Sequence, residues 1–264
     1  MNLFDRDYTV LLPDEEQRWE DLRTQEVVSN VGNLKIRRSR FRDYPKAARH
    51  FSQLFPNNYL DIVELTDEPR LSEQLASFEA LLNANDVNER QILNFIIKRQ
   101  AYFLVGSILK AYFPFGHHDA YLFPEFPLGS SFKVDHLLIG KNSAGWHFVF
   151  VELEAPAGSI TLADGNLGEA FRKGIAQTRD WEAWLDARYP SLLETFEKAK
   201  RPDRTLPCEF GQLDRSRVHF VVVAGRRKDF NDKTYRVCRK EPQFLIHYDN
   251  VVDASRELIG QMTY

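Results

Sequence analysis

Apolar positions recur at helical spacing from Leu71 onward. Leu71, Leu75, Phe78, Leu81 and Leu82 mark one face of LSEQLASFEALLNA, and Ala84–Asp86 ends it. NERQILNFIIKRQAYFLVGSILKAY predicts a second helix from about Asn88 to about Tyr112, bent or broken within. FPFGHHDAYLFPEFPLG brings Pro and Gly back and reads as a loop with aromatic packing. The period then changes to alternating or continuous apolar runs. FKVDHLLIG and WHFVFVELEAP predict two strands, joined by KNSAG, a polar turn of hairpin length. ITLADGNLGEAFRKGIAQTRDWEAWLDARYP predicts a helix from near Asp164, with Leu167, Phe171, Ile175, Trp181, Trp184 and Leu185 apolar. RVHFVVVAG reads as a buried strand suited to a central place in a sheet. QFLIHYDNVVDASRELIG predicts a last strand, a turn at Asp249–Asn250 and a closing helix.

Upstream, residues 1–66 read as a β-rich opening, in which NLKIRRSR alternates and LFPNNYLDIVELTDEP ends in turn chemistry. The order from Leu71 is α-α-β-β-α-β-(β)-α, an α/β fold with helices packed on a small mixed sheet. A boundary near Asp67–Arg70 divides the chain into an N-terminal segment, 1–69, and a domain, 70–264.

A hydrophobic fraction of 43% with 20 Phe is ample for a core, and a net charge of −3 gives the whole molecule no affinity for nucleic acid. Any such binding must come from a local patch. Cys208 and Cys238 are read as two ordinary thiols, with no Cys or His near them at zinc-ligand spacing. MNLFDRDYTV is charged within its first residues and is no signal peptide. No run approaches the roughly 20 apolar residues of a membrane span. The expectation is a soluble, cytoplasmic protein without a membrane partner.

Chemistry changes the picture at the hairpin. Asp135 sits inside the first strand, and Glu152 and Glu154 inside the second. A carboxylate among apolar neighbours costs several kcal/mol unless it is paired or metal-bound. Three on one hairpin point to a hard divalent cation, which prefers oxygen ligands. Period two puts Glu152 and Glu154 on one sheet face. The plain alternative is a solvated set of strand carboxylates at a sheet edge.

This pattern, an Asp, a hairpin, E-x-E and then a helix bearing Gln177, resembles the core of the PD-(D/E)xK nuclease superfamily. Within it the chain is similar to the Shedu anti-phage nucleases over about Leu71 to Leu258. FEALLNANDVNERQILNFI, VDHLLIG, FVFVELEAP, RVHFVVVAGRR and FLIHYDNVVD carry the resemblance, and GNLGEAFRKGIAQTRDWEAWL is its most specific part. The resemblance implies a metal-dependent DNA endonuclease of bacterial antiviral defence. Asp135 and Glu152 would hold Mg2+ or Mn2+ with the Leu153 carbonyl, and Gln177 would position water or phosphate. It implies DNA, phage or plasmid, as substrate, and a homo-oligomer.

Glu154 departs from the superfamily pattern, which places a lysine there, although the Shedu resemblance implies that ELE is tolerated. Lys173 lies one turn before Gln177 on the same helix face and is the candidate for a migrated lysine, with Lys133 the weaker one; either can also be a plain solvated residue. Arg172 on a neighbouring face is a candidate for phosphate, as are Arg226, Arg227 and Lys228 after the buried strand. The cationic run Lys35–Arg42 is open to the same two readings, nucleic-acid contact or a solvated face. Trp181 and Trp184 are assigned to the core, and Gly165 and Asn166 to the helix entry. His117 and His118 are assigned to packing or hydrogen bonding, without a third ligand for zinc. The competing function is a nuclease-like module that recognises DNA without cutting it; a third reading makes the carboxylates structural.

Overall fold

The computed structural model describes residues 2–113 and 119–264; the His117–His118 assignment lies outside them. Helix α1 (Pro13–Gln25) precedes a hairpin, β1 (Val27–Val31) and β2 (Leu34–Arg37), and a short α2 (Lys46–Ser52). The β-rich expectation for residues 1–66 is therefore corrected, because helix dominates and only the hairpin is strand. Leu22 of α1 packs with Tyr44 and Ala48 in a small core that periodicity does not mark. LFPNNYLDIVELT forms two 3-10 turns, and the Asp61 carboxylate caps the second by accepting from Val63 N.

Helices α3 (Glu68–Asn83), α4 (Glu89–Arg99) and α5 (Phe103–Tyr112) follow. Asn88 and Gln91 cap α4 reciprocally. Gln100, left-handed at φ 49°, ends α4 and accounts for the expected break. The pair α4–α5 bends by 102°, and among the described residues no single helix is long and apolar enough to cross a membrane.

Strands β3 (Ala120–Leu128), β4 (Phe132–Asn142) and β5 (Gly145–Leu153) form an antiparallel meander. The loop expected over β3 is thus corrected. Its two prolines and Glu125, at φ 49°, disguise a strand that pairs with β4 on both sides of the gap at Glu125. Helix α6 (Glu169–Arg188) and α7 (Leu192–Ala199) then lead to β6 (Val218–Val223), which pairs parallel to β5. Helix α8 (Asp232–Cys238), β7 (Phe244–Ile246) and α9 (Tyr248–Leu258) complete the chain.

The main sheet runs β3-β4-β5-β6-β7, so the VHFVVV strand lies inside it as its apolar run requires. On one face α3, α4, α5 and α9 bury Leu75, Ile96, Leu104 and Val252 against Val149 and Val151. On the other α6 and α7 bury Trp181, Trp184 and Phe196 against Phe148 and Phe150, placing both tryptophans in the core. Helix α6 starts at Glu169, five residues later than periodicity suggests. Gly165 and Asn166 lie in the turn before it, where Gly165 adopts φ 79° and Asp164 accepts from Asn166 N. The expected turn at Asp249–Asn250 is the first turn of α9, capped by His247 Nδ1 accepting from Asn250 N.

Candidate functional site

The ladder between β4 and β5 ends at the pair His136–Val151. One residue further, strand pairing gives way to a side chain: Asp135 Oδ2 accepts the Leu153 N–H at 2.8 Å. Asp135 is thereby held at the mouth of the wedge between the two strands. Glu152 follows on β5, 2% exposed, with Oε2 buried and without a hydrogen-bond partner. Glu154, just past the strand, is 3% exposed; its N–H donates to Val223 O, and its Oε1 is also orphaned. The three carboxylates lie near enough for their charges to act on one another, yet among the described residues no three His, Cys, Asp or Glu side chains are grouped so as to hold a metal ion.

Helix α6 closes the site. Lys173 Nζ donates to Glu154 Oε2 at 3.0 Å and to Glu89 Oε2 at 3.1 Å, so one ammonium links α6, the end of β5 and the start of α4. Gly174 makes this approach possible, since a Cβ there would sit 2.5 Å from Val222 Cγ1 and 3.3 Å from Glu154 Cγ. Tyr248, buried at the start of α9, donates its hydroxyl to Glu154 O at 2.6 Å. Gln177 lies one turn beyond Lys173 and is half-buried.

Burial raises the carboxyl pKa values of Asp135, Glu152 and Glu154 above the ordinary range. The charges of Asp135 and Glu154 add to the effect at Glu152, and those of Glu89 and Glu154 at Asp135. At Glu154 the hydrogen bond from Lys173 opposes it. For Lys173 burial works against the charge, yet the bonds to Glu154 and Glu89 outweigh it and push its pKa up. A buried anionic cluster answered by one lysine is an arrangement that a further cation would relieve.

Three cationic candidates have ion-pair partners. Arg226 forks onto Asp249 (Nη2–Oδ1 2.8 Å) and donates through Nη1 to Leu82 O, tying the end of β6 to α3 and α9. Lys133 pairs with Glu125 at 2.8 Å on the exposed surface, while Lys173 is the lysine bonded to Glu154. Arg227 pairs with Asp253, while Lys228 is exposed. Arg172 is exposed and reaches back to Gly168 O within its own helix.

Glu89, Gly174 and Tyr248 carry no mark in the pattern of the carboxylates. An acid at the first position of a helix is common, so Glu89 gives no warning. Gly174, in the interior of a strongly periodic helix, is the one anomaly that signals close packing.

Residues 86–250 match the family model of the C-terminal region of Shedu protein SduA. This chain belongs to the Shedu family. The match spans every residue of the carboxylate–lysine cluster, from Glu89 to Tyr248, so the site lies wholly within the Shedu region. Membership connects the chain with anti-phage defence. No curated protein matches the sequence.

Proposed function

We propose that this Shedu chain is a metal-dependent DNA endonuclease acting in bacterial antiviral defence. The observation that carries the reading is half-buried Asp135 beside buried Glu152 and Glu154, each glutamate with one orphaned carboxylate oxygen, inside the Shedu region. Among the described residues no group of three or more His, Cys, Asp and Glu is arranged to hold a metal ion. Two carboxylates, Asp135 and Glu152, and a backbone carbonyl are oxygen donors of the kind a hard cation such as Mg2+ or Mn2+ takes, with water filling its remaining positions. Asp135, Glu152 and the Leu153 carbonyl would hold it. When bound, the ion supplies charge for the phosphoryl oxygens and lowers the pKa of a water.

The chain's own groups do the rest. Lys173 brings the positive charge that the superfamily pattern places at position 154, and the acid actually there fixes the lysine in position. Gln177 offers an amide on the same helix face to orient water or phosphate. In this reading the substrate is phage or plasmid DNA, and the chain works as a cytoplasmic homo-oligomer.

The test is cleavage of linear and supercoiled plasmid with Mg2+ or Mn2+, wild type beside Glu152→Gln. Cutting that requires metal and disappears in the variant supports the nuclease. Glu154, at the position where the superfamily pattern places a lysine, favours a second reading, a module that recognises DNA without cutting it. Retained DNA binding without cleavage by the wild type would select that module.

A further inference from the structure

Between Glu26 and Asp43 the chain carries five cations, Lys35, Arg37, Arg38, Arg40 and Arg42, and no carboxylate. Without them the rest of the chain stands at −8 rather than −3. This stretch forms the β1–β2 hairpin and its root, and the hairpin lies open to solvent on both faces. Val28, Val31, Leu34 and Ile36 are between 44% and 67% exposed. An isolated two-stranded ribbon is marginal in water, and exposed β-branched residues do not explain its presence. The register pairs Ser29 with Ile36, Asn30 with Lys35 and Val31 with Leu34. Alternation then places Lys35 and Arg37 with Asn30 on one face and Val31, Leu34 and Ile36 on the other.

The root is a built feature. Arg38 N donates to Glu26 O at 2.8 Å, and Glu26 Oε1 accepts from Arg40 N and from the Tyr44 hydroxyl. Beside it opens a cleft of about 690 Å³ lined by Arg38, Ser39, Arg40, Phe41 and Arg42, with Asp43 as its acid. Asp43 is taken up by Arg40 Nε at 3.0 Å, and Arg38 and Arg42, which also line the cleft, have no ion pair with a carboxylate among the described residues.

The geometry points to a nucleic-acid-binding arm: the β1–β2 hairpin and the arginine cleft at its root grip the phosphate backbone of DNA, apart from the carboxylate centre. A two-stranded ribbon has the width that the major groove of B-DNA admits. The duplex presents one phosphate charge per roughly 1.7 Å, a density that a run of cations without acids matches. Exposed β-branched side chains on the second face meet sugars and thymine methyl groups. The choice of DNA as the polyanion rests on the nuclease reading; the arm itself rests on charge and exposure.

Binding of a short fluorescein-labelled DNA duplex in EDTA tests it, where cleavage plays no part. Wild type is compared with the quadruple variant Lys35→Gln, Arg37→Gln, Arg38→Gln, Arg42→Gln over a salt series. Each lost phosphate contact flattens the slope of log affinity against log salt by about 0.9, so a loss of roughly 3–4 in slope is expected, with affinity reduced about tenfold or more. These side chains are exposed, so melting should stay within about 2 °C of wild type. Equal slope and affinity, or no duplex binding by the wild type, would overturn the arm. So would an unchanged slope with loss of self-association in sedimentation, which would assign the hairpin to a second copy and its acidic α1. Plasmid cleavage with Glu152→Gln stands separately: an arm that fails here leaves that assay intact, and a nuclease that fails there leaves duplex binding in EDTA to be read.

Discussion

Glu152 has an ordinary pKa of 4.5, and burial with Asp135 and Glu154 nearby raises it on folding. Over the interval between those values the folded chain keeps a proton that the unfolded chain has lost. Stability from this group is therefore greatest at and below about pH 4.5 and falls as pH rises toward the raised value. Asp135 acts in the same direction. Glu152→Gln removes the penalty, so in EDTA the variant should be more stable than wild type by about 1–3 kcal/mol near pH 8. The gap should close by about pH 4–5, read by urea denaturation across the range. A gap independent of pH would sink the account. Asp135, Glu152 and Glu154 were legible from sequence, because an acid among apolar neighbours contradicts its surroundings, although Glu154 lies one residue past the strand. The lysine's partners were not, since Glu89 is 84 residues from Lys173 along the chain.

At the level of elements, the seam between α6 and the sheet sets the site. Gly174 lets the helix backbone approach Val222 and Glu154, and Lys173 stands where it does because of that contact. On an exposed helix face Gly→Ala would stabilise by about 0.4–1 kcal/mol through the unfolded chain. Here a methyl group 2.5 Å from Val222 Cγ1 must push the helix away. Gly174→Ala is expected to destabilise by about 1–3 kcal/mol, read by urea denaturation. A gain in stability would show that the seam is slack. Strand β3 teaches the opposite lesson. Pro124, Pro127 and Glu125 at positive φ hide it from the alternation rule, yet β4 on one flank still pairs with it.

Over the whole molecule, residues 1–66 are bound into the same cores as the Shedu region. Leu3, Leu60 and Leu65 pack with α3, α5 and α9, and Phe55 and Tyr59 pack under β3 and β4. Arg49 and Asp61 form a buried ion pair at 2.9 Å within that segment. Each such apolar side chain contributes about 1.5–3 kcal/mol on burial, and five together rival the roughly 5–15 kcal/mol that keeps a domain folded. A chain starting at Asp67 should lose cooperative thermal unfolding and precipitate on expression. A sharp melt near that of the full chain would refute this.

The helices α3 to α6, the acidic β4–β5 hairpin, the buried run of β6 and the closing β7–α9 were determined by the sequence alone, because each is a local pattern of burial with a fixed period, whereas β3, α7 and α8 were not. The carboxylates also announced themselves, since local context alone makes them expensive. Tertiary structure decided what answers them. Arg226, a DNA contact by its place in the chain, is turned inward by Asp249, and Lys173, one of several exposed cations by its place in the chain, is drawn between Glu154 and Glu89. The fate of a long charged side chain depends on which opposite charge the fold brings within about 3–4 Å, and periodicity holds no information about distances across the chain.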